Sequence, residues 1–157
     1  MKKNKFLIPI TIAIFAIALT SCNEADNIIN PSASMKAKIG GLDWSATLRV
    51  PIHKNGGFII TGTDANTGKV IAITFLNDDL GTYSLNPIAL PPVANFAAFY
   101  RPQSGNEQTA TSGVGTITSL DTIAKKIAGT FNFDCTDGTN TVSVTNGTFS
   151  DLEYKEE

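Results

Sequence analysis

From residue 34 onward, apolar side chains recur at every second position in short runs, and Gly, Asn, Asp or Pro bounds almost every run. Successive side chains of a strand point to opposite faces, so this period predicts half-buried β-strands. Met35, Ala37 and Ile39 alternate with Lys36 and Lys38, and Gly40-Gly41 then turns the chain into Trp44, Ala46, Leu48 and Val50. That stretch predicts a hairpin with one dry face. Phe58–Gly62 and Val70–Leu76 flank a turn signal in Asp64, Asn66 and Gly68, residues that bond their own backbone or accept positive φ. The run over 70–76, VIAITFL, is apolar at almost every position, the mark of a strand covered on both faces or central in a sandwich.

Further strands are expected around Tyr83 and Leu85, then over Asn95–Arg101, Val114–Thr118, Ile127–Cys135, Thr141–Thr145 and Gly147–Tyr154, with a polar loop over residues 102–113. Ser119–Lys126, with Ser119 and Asp121 as caps, is the one place where a turn or two of helix fits. About nine strands at this spacing predict an all-β fold, an antiparallel β-sandwich or flattened β-barrel. Gly-Thr followed by an apolar residue occurs at 81, 115, 129 and 147. The unequal separations exclude a solenoid or propeller repeat, and the expected role is local: Gly opens a turn and Thr begins a strand.

The first 21 residues follow a different pattern. Lys2, Lys3 and Lys5 precede an uncharged run from Phe6 to Leu19, 14 residues long, which suits a secretory signal and is short of the ~20 residues a spanning helix needs. Leu19-Thr20-Ser21-Cys22 resembles the lipobox of bacterial lipoproteins. The resemblance implies cleavage before Cys22, acylation of its sulfur and new amino group, and a membrane as partner through those chains. The organisation expected is a signal peptide over residues 1–21, a lipidated cysteine and flexible tether over 22–34, and one domain over 35–157.

Loss of the signal leaves nine cations against fourteen acids, formally −5. A modestly acidic chain without a basic run is a poor match for nucleic acid. The other cysteine, Cys135, alternates with Phe131 and Phe133 and is expected as a buried, inert thiol.

Chemistry is sparse. The single histidine, His53, has no nucleophile-elbow sequence to pair with, and one His with one distant Cys makes no zinc set. Asp134, Asp137 and Asn140 around Gly138 carry oxygen donors of the kind calcium takes, yet the closing position of an EF-hand loop is Thr145; Asp-Gly here reads as a hairpin turn. Asp151 and Glu153, two apart on the last strand, would lie about 7 Å apart on one face, within the range of a glycosidase pair. Leu152 and Tyr154 opposite them read as the core side, which makes the two acids a wet outer face. Trp44 and Phe96 read as core.

Pro87, Pro91 and Pro92 forbid a central strand, while Ile88, Leu90 and Val93 are too apolar for a loop that only crosses water. Either this loop plugs one end of the fold or it displays an apolar patch. Ile88, Leu90 and Val93, with Tyr100 and Arg101, are therefore the candidate contacts for a ligand or partner.

IGGLDWSA, GTYSL and the closing IAGTFNFDCTDGTNTVSVTNGTFSDLEY resemble a family of small, largely uncharacterised Bacteroidota lipoproteins with a single β domain. The resemblance covers nearly all of residues 35–154 and brings no activity with it. In such lipoproteins acids just after the cysteine resemble a surface-export signal, and Glu24 and Asp26 fit it loosely. The reading reached is an envelope lipoprotein of the outer membrane, periplasm-facing or on the surface, with no cofactor or metal. Its β domain would bind or scaffold an unknown protein or small molecule without catalysis, and the alternative is a hydrolase using Asp151 and Glu153.

Overall fold

The computed structural model describes residues 32–86 and 93–157. Twelve strands form one sheet: β1 (Ser34–Ile39), β2 (Leu42–Ser45), β3 (Leu48–Lys54), β4 (Gly57–Asp64), β5 (Lys69–Phe75), β6 (Gly81–Asn86), β7 (Val93–Ala94), β8 (Phe96–Arg101), β9 (Gln108–Asp121), β10 (Lys126–Thr136), β11 (Thr141–Glu153) and β12 (Lys155–Glu156). The main path runs β12-β3-β4-β5-β8-β9-β10-β11-β1-β2, with β6 on β9 and β7 on β6. All pairs are antiparallel except β12 on β3.

The expected all-β class holds, and the sheet curls because two corners bring its ends together. Met35 and Ala37 stay with β2, where the Ala46 amide donates to the Met35 carbonyl. At Thr47 the chain changes partner: its amide donates to the Thr63 carbonyl at 2.9 Å. The expected strand from Trp44 to Val50 is thus split across both ends of the sheet. Its alternation breaks at the corner, so that Trp44 and Ala46 are buried while Leu48 and Val50 are exposed. The second corner follows β11: Tyr154 turns into the core and Lys155 pairs with Ile52 of β3.

Three further expectations are corrected. Residues 108–113 belong to the long strand β9 and only the stretch before them is loop. Residues 119–126 are the end of a β-hairpin, β9 running to Asp121 and β10 starting at Lys126, and the Asp121 carboxylate accepts from the Ile123 and Ala124 amides of the turn; no helix occurs among the described residues. The Gly-Thr motifs, finally, are not turn openers at 115, 129 and 147; these glycines sit in mid-strand.

Register explains the motif. Thr82 pairs with Thr116, Thr116 with Thr130, and Thr130 with Thr148, so four distant sequence copies form one row across β6, β9, β10 and β11. Neighbouring strands run in opposite directions, which sets each glycine beside the large residue of the next copy: Tyr83 faces Gly115, Phe131 faces Gly115 and Gly147, and Phe149 faces Gly129. A Cβ on Gly115 would strike the rings of Phe75 and Phe96, and one on Gly129 the ring of Phe149. The inner face is therefore a checkerboard of rings and gaps, with Phe75, Phe96, Phe131 and Phe149 fully enclosed. Thr side chains take the outside.

β11 bends around this core through two bulges. Thr145 and Asn146 together oppose Asn132, and Ser150 and Asp151 oppose Ala128. Asn146 and Asp151 take φ of 52° and 50°, the left-handed region that Asn and Asp tolerate better than most residues. Each bulge shifts the buried positions by three instead of two, giving Val144, Gly147, Phe149, Leu152 and Tyr154.

Candidate functional site

His53, at the end of β3, gathers partners that its sequence neighbourhood does not contain. Its Nδ1 lies 2.6 Å from a Glu156 carboxylate oxygen on β12, and its Nε2 lies 3.1 Å from Asp78 in the loop before β6. The ring packs on Phe58 at 4.7 Å between centroids and meets the Tyr154 ring edge-on at 5.8 Å. The hydrogen bond to Glu156 is the main cause that raises the His53 pKa above 6.5; burial opposes it, and Asp78 adds to it. In the imidazolium form both ring N–H groups donate to carboxylates. A ring so occupied has no lone pair with which to act as a base, and its two acids sit on different nitrogens and do not converge on one point. Among the described residues no group of three His, Cys, Asp or Glu could hold a metal ion. The arrangement clamps β12 to β3, reinforced by the Glu157 amide donating to the His53 carbonyl.

The acids singled out in the sequence lie apart from this cluster. Asp151 and Glu153 are both exposed, and the left-handed backbone at Asp151 removes the extended two-residue spacing that would have set their separation. Asp137 accepts the Thr139 and Asn140 amides at 2.9 and 2.7 Å; those bonds, from Asn140 first, hold its carboxyl below the usual range. Asp134 accepts from Ser143 at 2.6 Å and Ser112 at 3.4 Å. The two acids serve separate local networks, one of them the hairpin turn.

Cys135 is fully buried, with its thiol directed at the Gln108 side chain and the Val142 carbonyl. Burial, and secondarily Asp134, pushes its pKa up to about 11. Trp44 and Phe96 are core residues as expected, although the Trp44 indole N–H is buried without a partner among the described residues. Tyr100 also turns into the core, so of the Tyr100-Arg101 pair only Arg101 reaches solvent. Cys22, Ile88 and Leu90 lie outside the described residues, and Val93 enters through its backbone pairing with Asn86 alone.

What remains uncommitted is on the outside of the sheet. Over β6, β9, β10 and β11 it is hydroxyl-rich, with the Thr82–Thr148 row and a 3.0 Å contact between the Thr82 and Thr116 hydroxyls. A groove of about 460 Å³ opens there, where β9 leaves β6, lined by Ser84, Leu85, Val114 and Asn132 among others. The Asn132 side-chain carbonyl already accepts the Asn146 amide. Over β3, β4, β5 and β8 the outside is apolar, with Val50, Thr61, Ala72 and Phe99 in one row and Ile52, Ile59, Thr74 and Ala97 in the next; Val50 and Ile59 are exposed and Ala72 is buried. The unbroken apolar run of β5 fits the strand covered on both faces that it predicts: Val70 and Ala72 on this side are buried, as are Ile71 and Ile73 on the other.

No curated protein and no solved structure matches the chain. Residues 31–153 match the model of the family described as Domain of unknown function (DUF6252). That match spans every strand from β1 to β11, together with the Gly-Thr rows and both bulges, and the chain belongs to this family.

Proposed function

We propose that the protein is a lipid-anchored envelope lipoprotein of the Bacteroidota outer membrane whose β domain binds or scaffolds without catalysing a reaction. The observation that carries the binding reading is the position of the uncommitted side chains, which lie in rows on the outer faces of the sheet. Catalysis needs a concavity in which polar groups converge; here the histidine is saturated by its two carboxylates, and Asp151 and Glu153 are exposed at a bulge. The anchor is supported by the lysines, the apolar run and Leu19-Thr20-Ser21-Cys22. Each buried acyl methylene contributes about 0.8 kcal/mol, so two or more chains hold firmly where one is marginal.

Metabolic labelling with a palmitate analogue tests the anchor. The wild-type chain should take up label and run at the size of residues 22–157, and Cys22→Ala should remain an unlabelled precursor. Label persisting on Cys22→Ala would overturn the assignment.

A further inference from the structure

The apolar outer face of β3, β4, β5 and β8 has three rows of four positions in register, Leu48-Thr63-Val70-Arg101, Val50-Thr61-Ala72-Phe99 and Ile52-Ile59-Thr74-Ala97; Val70 and Ala72 are buried, so its exposed large apolar side chains are on β3 and β4. Leu48, Val50 and Ile59 are large hydrophobics at 45%, 52% and 39% exposure. Not one of the twelve positions is acidic, and the only charge is Arg101. That distribution runs against the whole, since residues 22–157 carry a net excess of acids.

The chain leaves the domain beside this face. The Met35 sulfur packs on Gly62 from the core side of β4, and the Ala46–Thr47 corner bonds Met35 on one side and Thr63, at the edge of the face, on the other. Ser32 follows Cys22 by ten positions, a reach of no more than about 35 Å when fully extended.

We infer that this face docks on the lipid surface that holds Cys22. An exposed apolar patch marks an interaction site. Here a bilayer matches it in chemistry, with headgroup and acyl boundary for the aliphatic side chains and no acid among the twelve positions to repel anionic lipid. The short tether keeps that bilayer at high effective concentration, so weak contact suffices. The inference rests on the anchored reading proposed above.

The test uses the full lipidated chain in vesicles of phosphatidylethanolamine and phosphatidylglycerol. Cys135 is buried and its thiol is held protonated, and Cys22 carries lipid, which leaves an introduced cysteine as the reactive thiol. Val50→Cys and Ile59→Cys on the face, and Thr130→Cys on the hydroxyl side, are labelled with an environment-sensitive fluorophore. Spin-labelled lipid should quench the two face positions several-fold more than Thr130→Cys, and an aqueous quencher should do the reverse. Equal access of the aqueous quencher to all three positions would overturn the inference. So would shielded face positions that escape lipid quenching and show energy transfer between copies, the result for a dimer. The mass of the N-terminal peptide is read in parallel: a peptide without acyl groups refutes the anchor itself, and the docking falls with it.

Discussion

A histidine with a carboxylate on each ring nitrogen reports on the elements that carry those carboxylates. For His53 these are β12, through Glu156, and the loop before β6, through Asp78. Its pKa is raised on folding, so the imidazolium's contribution is complete below pH 6.5 and is lost as the pH rises through the folded value. Titration of the His53 ring by NMR should give a midpoint above 6.5, and Glu156→Gln should lower that midpoint more than Asp78→Asn, because Glu156 is the larger cause. A wild-type midpoint at or below 6.5 would contradict the clamp. In the sequence the lone histidine is plain and its partners are not, since they lie 25 and 103 positions away. Cys135 was legible because its environment comes from its own strand, where alternation with Phe131 and Phe133 already sets its face.

The strands themselves were largely legible, whereas their interruptions were not. Alternation shows a strand, but a bulge shifts the alternation by one position, and β9 and β11 each cross two shifts in register. The Gly-Thr motif is visible in the sequence, yet its meaning lies between strands and the turn-opening role expected of it fails. Gly129 makes the point testable. A Cβ there would meet both the Phe149 ring and the Thr116 backbone carbonyl, and a carbonyl in the ladder has nowhere to move. Gly129→Ala should cost about 2–3 kcal/mol by overpacking, and Phe149→Leu in the same chain should recover only part of it. At Gly115 the nearest obstacles are the rings of Phe96 and Phe75, so Gly115→Ala with Phe96→Leu should recover more. Chemical denaturation of the four variants reads this, and equal recovery at the two sites would refute the checkerboard account.

On the scale of the whole molecule, closure depends on contacts between the chain's beginning and its end. β1 pairs with β11, Ser34 opposite Ser150, and β12 pairs with β3. Pairings so distant in sequence must form before they repay their loop-closure entropy, so refolding should take about milliseconds to seconds in one cooperative phase. Amide exchange should then protect β1 as strongly as β10. Exchange of β1 by a separate, low-energy opening would show instead that the first strand is an appendage. The sequence by itself determined the all-β class, the burial of Met35, Trp44, Phe131 and Cys135, and the tight turns at Asp64 and Asp137, because each follows from periodicity or from bonds within a few residues. Only the tertiary structure decided that Thr47 swaps one sheet edge for the other, that four Gly-Thr copies share a row, and that His53 meets Asp78 and Glu156. Those outcomes depend on which strands become neighbours, and the pairing is chosen by how the rings and gaps of the whole inner face fit together.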